Sequence, residues 1–325
     1  MAIRAGIVGT GFAAGKRAQA LQNISEVNLV GVASRSHERA QDFAKKYEIG
    51  FLSLDKTLWD CLDLVFVCTV NADHGTLVQQ ALNHGKQVVV EYPLALDLSQ
   101  AVQLVAIARQ RQQLLHVEHI ELIGGLHLAM QEHMAAVGAP HYVNYRTLAP
   151  KQPAPQKWNY SLEPLGFPLM AALSRIQRLT NLLGPVETVI CQGGVQPTET
   201  DYFKRCLYSA QLQFCNGVQA ELTYGKGEGL WQRNRYIEVR GDQGCLVFDG
   251  DQGCLTTACR KQTIGATPRQ GLFRKDTQWV IEHLLKGTPL YVEPEESVYS
   301  LQVATALQRS VELGKKVAVK EYSTD

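Results

Sequence analysis

No long hydrophobic run, no surplus of charge and no paired-cysteine motif occurs in this sequence of 325 residues. Nowhere do about 18 apolar residues follow one another, so a membrane-spanning helix is not expected. Lys and Arg number 32 against 31 Asp and Glu, a formal charge of +1. A general binder of nucleic acid or of an anionic membrane needs a basic surplus, and both partner classes are set aside. The cysteines are Cys61, Cys68, Cys191, Cys206, Cys215, Cys245, Cys254 and Cys259. None forms C-x-x-C, and no Cys/His spacing marks a metal site. The first residues, Met1-Ala2-Ile3-Arg4, break polarity too early for an export core. The expectation is a cytoplasmic protein with reduced thiols, most of them small core hydrophobes.

What is present is ordinary globular composition, 45% hydrophobic and 19% charged. The length suits two domains. Up to about residue 118, apolar strands alternate with helices: Ile3–Val8, Val27–Ala33, Asp63–Thr69, Gln87–Glu91 and Leu114–Glu118, with helices near 13–22, 37–47, 74–84 and 98–112. Continuous apolar strands between helices predict a parallel sheet covered on both faces. Beyond that the strands shorten, alternate, and are separated by turns such as Asn216-Gly217, which predicts an antiparallel sheet. Helices are expected near 165–183, 276–285 and 297–313. The fold class is therefore α/β: an N-terminal Rossmann dinucleotide-binding domain over 1–122 and a C-terminal α+β domain over 123–325 with a mainly antiparallel sheet. The Pro-rich stretch Ala149–Lys157 reads as a loop or lid.

Gly9-Thr10-Gly11-Phe12-Ala13-Ala14 is G-x-G-x-x-A between a strand and a helix. Gly9 permits the turn, Gly11 admits a diphosphate to the backbone, and Ala14 keeps helix and strand close. Thr10, Phe12 and Ala13 sit at the same contact. The second strand ends in Ser34-Arg35-Ser36, with Arg39 one turn on. A site selective for NAD would carry an acid here; two hydroxyls and guanidinium groups suit a 2′-phosphate, so the expected cofactor is NADPH. Thr69, Asn71 and His74 lie at the carboxyl end of the next strand, where the cofactor edge is expected. Glu91 and Tyr92 end the strand after it.

The layout resembles the glucose–fructose oxidoreductase and inositol dehydrogenase family. That family usually carries Glu-Lys-Pro where this chain has Glu91-Tyr92-Pro93, and usually places a catalytic His and Asp on the helix that here carries Ser174 and Gln177. Both departures argue against sugar chemistry. Val90-Glu91-Tyr92-Pro93 is similar instead to the V-E-Y-P of the biliverdin reductases within that family. So are His116-Val117-Glu118-His119-Ile120-Glu121-Leu122, Gly166-Phe167-Pro168 with Ser174-Arg175, Arg233-Asn234-Arg235-Tyr236, and Phe273 through Leu285.

The resemblance implies reduction of biliverdin, a linear tetrapyrrole, at its C10 methine bridge to bilirubin, in a cleft between the domains. Arg175 is the expected catalytic residue. Arg is a poor direct acid, so its role would be to hold the pigment, orient a proton-bearing water and stabilise charge. Tyr92 would pack on the rings or donate a hydrogen bond, and Glu91 would bind the carboxamide or orient its neighbours. Tyr92, His119, Arg175, Arg178, Arg233 and Arg235 form the expected substrate-binding set. The acid-free basic stretches 133–162 and 254–275 are either solvated faces or an entrance for propionates. No metal is expected, because hydride transfer needs none. A monomer is expected, with a dimer left open. Two alternatives remain: an NADP-dependent sugar, polyol or dihydrodiol dehydrogenase, and a non-catalytic NADP-binding regulator.

Overall fold

The computed structural model describes residues 2–319. They divide into two compact units. One contains the chain up to residue 120 together with 270–298; the other contains 121–269 and the chain from 299 onward.

The first unit is built on strands β1 (Ile3–Val8), β2 (Val27–Ala33), β3 (Gly50–Phe51), β4 (Leu64–Val67), β5 (Gln87–Glu91) and β6 (Leu115–Glu118). Helices α1 (Phe12–Leu21), α2 (His37–Tyr47), α3 (Asn71–Asn83) and α4 (Leu98–Gln110) connect them. All strands are parallel, in the order β3-β2-β1-β4-β5-β6. Leu64–Val67 is buried at every position, because helices cover both faces of the sheet. Side-chain caps set two helix starts: Ser36 accepts from the Arg39 N–H, and Asp97 from the Gln100 N–H.

The second unit carries α5 (Gly125–Val137), β7 (Pro140–Pro150), α6 (Leu162–Leu165), α7 (Leu173–Leu183) and strands β8 (Val186–Pro197), β9 (Phe203–Phe214), β10 (Gln219–Gly227), β11 (Asn234–Gly241), β12 (Gly244–Asp249), β13 (Gln252–Thr257) and β14 (Lys261–Gly265). After these come α8 (Leu272–Lys286), α9 (Pro294–Leu313) and β15 (Val317–Ala318). The sheet has nine strands, β14-β13-β12-β11-β7-β10-β9-β8-β15. Every pairing is antiparallel except β7 with β10, whose parallel register runs from Tyr142↔Gln219 to Pro150↔Gly227.

Three expectations change. The division expected at 122/123 becomes discontinuous, because α8 returns to the first unit. Its Val280 and Ile281 share a core with Ala14, Ala18 and Leu21 of α1. The helix expected over 165–183 is interrupted between α6 and α7: Gly166 adopts φ 78°, and Pro168 disfavours helical backbone at Phe167. Cysteines are less buried than expected; Cys68, Cys191 and Cys206 lie in the core, whereas Cys215 and Cys259 are exposed. Among the described residues, no helix is long and apolar enough to cross a membrane.

Candidate active site

β1 runs into Gly9, whose φ of 116° and contact with β4 exclude any other residue: a Cβ there would lie 2.3 Å from the Cys68 carbonyl oxygen. Gly11 is different. A Cβ on it would meet nothing nearer than that same oxygen at 4.0 Å, so the chain itself does not require glycine. The missing side chain leaves room for a ligand at the start of α1. No side chain caps that helix, and its first turn contains no acid. Thr10, Phe12 and Ala13 surround the turn. Backbone N–H groups at an uncapped helix start, with no Cβ in the way, fit a dinucleotide diphosphate.

At the end of β2, Ser34 Oγ accepts from the Ser36 N–H at 3.3 Å, and Ser36 Oγ accepts from Arg39 N–H at 3.4 Å. Both hydroxyls retain their own protons for an anion. Arg35 is 72% exposed and pairs with Asp73 in the first turn of α3 at 3.0 Å. Asp73 was not expected here. Ser34, Arg35 and Ser36 follow β2, and Arg39 lies in the first turn of α2.

His74, expected at the cofactor edge or as a helix cap, has its ring turned inward. Its ring is 1% exposed, with Nδ1 2.8 Å from the Pro93 carbonyl oxygen and Nε2 3.3 Å from that of Thr69. It ties the segments after β4 and β5 together, and burial lowers its basicity. Asn71 is also buried, at the start of α3.

Glu91 is held by Arg17, which donates from Nε at 3.1 Å. Arg17 is fully buried on α1, between the rings of Phe66 and Phe273. Its Nη1 donates to Asp276 and Thr277 of α8. Asp276 also accepts from His116 Nε2 at 2.8 Å and from the Tyr291 hydroxyl at 2.5 Å. These partners hold its carboxyl well below the usual range against the cost of burial. Glu118 goes the other way. Burial, with the Glu91 and Asp276 charges nearby, pushes it well above the carboxylate range.

The Tyr92 ring stacks on His119 at 5.5 Å, with 7° between the planes. His119 is wholly buried, its Nε2 lies 2.8 Å from Ser297 Oγ, and burial brings its pKa down to about 3. His119, one of the expected substrate-binding residues, forms a neutral platform against the Tyr92 ring.

In the second unit, α7 carries Arg175 and Arg178 to different environments. Arg175 is half-buried, lies over the Tyr224 ring at 5.6 Å and donates to Ser174 Oγ at 3.1 Å. Arg178 is 2% exposed and bound to the Tyr145 hydroxyl and to Glu121 at 3.0 Å. Arg178, expected in the substrate-binding set, thus takes part in a buried ion pair. Arg235 pairs with Asp251, whereas Arg233 is exposed before β11. Lys226 on β10 was missed. It is 6% exposed, sits over the rings of Tyr160 and Phe203, and donates to the Asn159 carbonyl. Burial, with the Arg175 charge nearby, brings its ammonium down to about 8.

The basic stretches separate. Arg269 pairs with Glu121, while Arg274 and Lys275 lie on α8 in the first unit. Lys151 follows the end of β7, and Lys204 and Arg205 lie at the start of β9, where Gly227 of β10 is in register with Pro150 and Arg205. Among the described residues, no group of three His, Cys, Asp or Glu side chains is placed to hold a metal ion.

Arg17, Asp276 and Lys226 had a legible signal. Arg17 falls on the apolar face of α1 with Ala14, Ala18 and Leu21, Asp276 lies one turn before Val280, and Lys226 continues the inward series Ala220, Leu222, Tyr224. A charge in a core phase implies a buried partner.

Residues 3–119 match the NAD-binding Rossmann fold of the GFO/IDH/MocA oxidoreductase family, and residues 136–319 match that family's C-terminal alpha/beta domain. The chain is 40% identical to a biliverdin reductase from Synechocystis sp. PCC 6803 whose crystal structure holds biliverdin and NADP+. The match covers 95% of this chain and 99% of that one, with a TM-score of 0.90. Biliverdin reductase A of Mus musculus is 26% identical over 93% of this chain and 94% of its own length. UDP-N-acetylglucosamine 3-dehydrogenase of Acidithiobacillus ferrooxidans is 31% identical, over 46% of this chain and 47% of its own. The chain belongs to the GFO/IDH/MocA oxidoreductase family and is an NAD(P)-dependent oxidoreductase.

Proposed function

We propose that the chain reduces biliverdin to bilirubin with NADPH. The observation that carries this reading is the 40% identity, over nearly the whole of both chains, to the Synechocystis protein that binds biliverdin and NADP+. Bound NADPH supplies a hydride for C10, and a pyrrole nitrogen takes up a proton. Gly11 and the uncapped start of α1 hold the diphosphate, and Ser34, Arg35, Ser36 and Arg39 hold the 2′-phosphate.

Tyr92 offers a flat ring backed by His119, suited to packing on a pyrrole face. A lysine at this position would suit a sugar hydroxyl; the flat Tyr92 ring, backed by His119, serves better as a wall. Arg175 keeps its proton at any working pH. It therefore binds the anionic pigment and orients a water that delivers the proton. Lys226, with its proton more loosely held, adds positive charge beside it. Exposed Arg233, ahead of β11, is a candidate cation for a propionate.

The test is to incubate the protein with biliverdin and NADPH, and separately with polyols and NADP+. Loss of red absorption with gain of a bilirubin band supports the reading; turnover of polyols alone rejects it.

A further inference from the structure

Six groups of the first unit, Tyr92 among them, form a closed circuit. Asp276 is wholly buried and accepts from Arg17, and Arg17 Nε donates to Glu91 at 3.1 Å. The chain passes directly from Glu91 to Tyr92. In the other direction Asp276 Oδ1 accepts from the Tyr291 hydroxyl at 2.5 Å, and that hydroxyl accepts from the His119 N–H at 3.2 Å. The His119 ring lies against Tyr92, which closes the circuit. One arm fixes the backbone that leads into Tyr92, and the other fixes the surface on which its ring rests.

We propose that Asp276 is a positioning residue for Tyr92, acting through Arg17–Glu91 on one side and Tyr291–His119 on the other. The inference rests on the reading of Tyr92 as a wall of the site. Asp276 arrives from α8, more than 180 residues along the chain from Tyr92, so the segment 270–298 completes the site rather than only covering the sheet.

Stability alone is a poor reason for this arrangement. Buried ion pairs cost desolvation, and well-packed apolar residues often replace them without loss. Apolar packing lacks direction, whereas each oxygen of Asp276 has a fixed donor. Both arms then restrain Tyr92 from two sides, and misplacement by about 1 Å can cost roughly 100-fold in rate.

Tyr291→Phe tests one arm alone. It keeps the ring that packs on His116 and Trp279 and removes only the hydroxyl. Two readouts are taken: the ring resonances of Tyr92 by NMR, displaced by the His119 ring current, and the separate kcat and KM values for biliverdin reduction. Tyr291→Phe and Asp276→Asn are expected to shift the Tyr92 resonances toward those of an unstacked tyrosine. They should lower kcat by about 10-fold or more while KM for NADPH changes by less than about 3-fold. Val280→Ala is the control, a core residue of α8 outside the circuit. It should lower the melting temperature and leave Tyr92 and kcat unchanged. Unmoved Tyr92 resonances in Tyr291→Phe overturn the proposal, as does the same change in Val280→Ala. If the wild-type protein does not reduce biliverdin, the functional reading fails, and the Tyr92 resonances still decide this one.

Discussion

The ring of Tyr92 lies 5.5 Å from that of His119, and the planes are within 7° of parallel. His119 is buried, and its pKa of about 3 keeps the imidazole neutral at any working pH. The stack is therefore a contact between two uncharged rings, and it makes Tyr92 a surface before it makes it an acid.

Replacing Tyr92 separates these two roles. Tyr92→Phe keeps the ring and should retain kcat within about 10-fold. Tyr92→Ala removes the packing, which for an aromatic pair is worth about 1 kcal/mol beyond its buried area, and should raise KM for biliverdin as well as lower kcat. Steady-state kinetics on the two variants checks this; a Phe variant as poor as the Ala variant would make the hydroxyl essential.

In the proposed site, Arg35 distinguishes NADPH from NADH. A charge-assisted hydrogen bond to phosphate is worth about 1.5–3 kcal/mol, so Arg35→Ala should weaken NADPH binding by roughly 10- to 100-fold and leave NADH binding nearly unchanged. Asp73, 3.0 Å from Arg35, opposes a second anion there; Asp73→Asn should tighten NADPH binding severalfold. Titrating both cofactors by nicotinamide fluorescence reads the effect, and equal losses for both would remove Arg35 from the 2′-phosphate site.

Arg175→Ala should lower kcat by about 100-fold, the usual cost of removing one donor to developing charge, with little change in NADPH affinity. Arg178→Ala should act differently. Glu121 keeps Arg269, but Tyr145 and one Glu121 oxygen lose their buried donor, at about 1–3 kcal/mol of stability, so its signature is a lower melting temperature. Thermal melts alongside kinetics distinguish the two arginines.

The pH dependence of stability has a defined sign at His127. Burial, and the Arg178 charge after it, bring its pKa down to about 4, and its Nε2 is bonded to Asn181 at 2.9 Å. The unfolded chain takes up a proton near pH 6.5 that the folded chain refuses until about pH 4. Its contribution is therefore complete above pH 6.5 and is lost as the pH falls toward 4. His127→Asn should flatten the dependence of unfolding free energy between pH 4.5 and 6 by roughly 1 kcal/mol per unit. Denaturant melts across that range measure it.

Much of the first unit was legible because its signals are local. Val27–Ala33 and Gln87–Glu91 form as expected from their apolar runs, and the polar helix His37–Tyr47 forms over the expected residues. The glycine turn was legible too, since Gly9 needs its conformation from its own backbone. Helix α5 was not: it starts at Gly124-Gly125 with no side-chain cap, in a stretch read only as a boundary. Strands β13 and β14 looked like a basic run, because β14 is an edge strand, and edge strands carry exposed charge that discourages pairing with other chains. At the site, Arg35 and Tyr92 could be placed from neighbouring residues. The burial of His74, His119 and Arg178 could not, because each is satisfied by a partner from another element. The Arg17–Asp276 pair spans 259 residues, and no local pattern names such a partner.

The central claim is hydride delivery to C10 of biliverdin. NADPH carrying deuterium at C4, prepared in each of its two stereochemical forms, tests it most directly in a single turnover. One form should yield bilirubin with one deuterium at C10 by mass spectrometry and NMR, and the other should yield unlabelled bilirubin. Bilirubin without deuterium at C10 from both forms, or no bilirubin at all, would contradict the account.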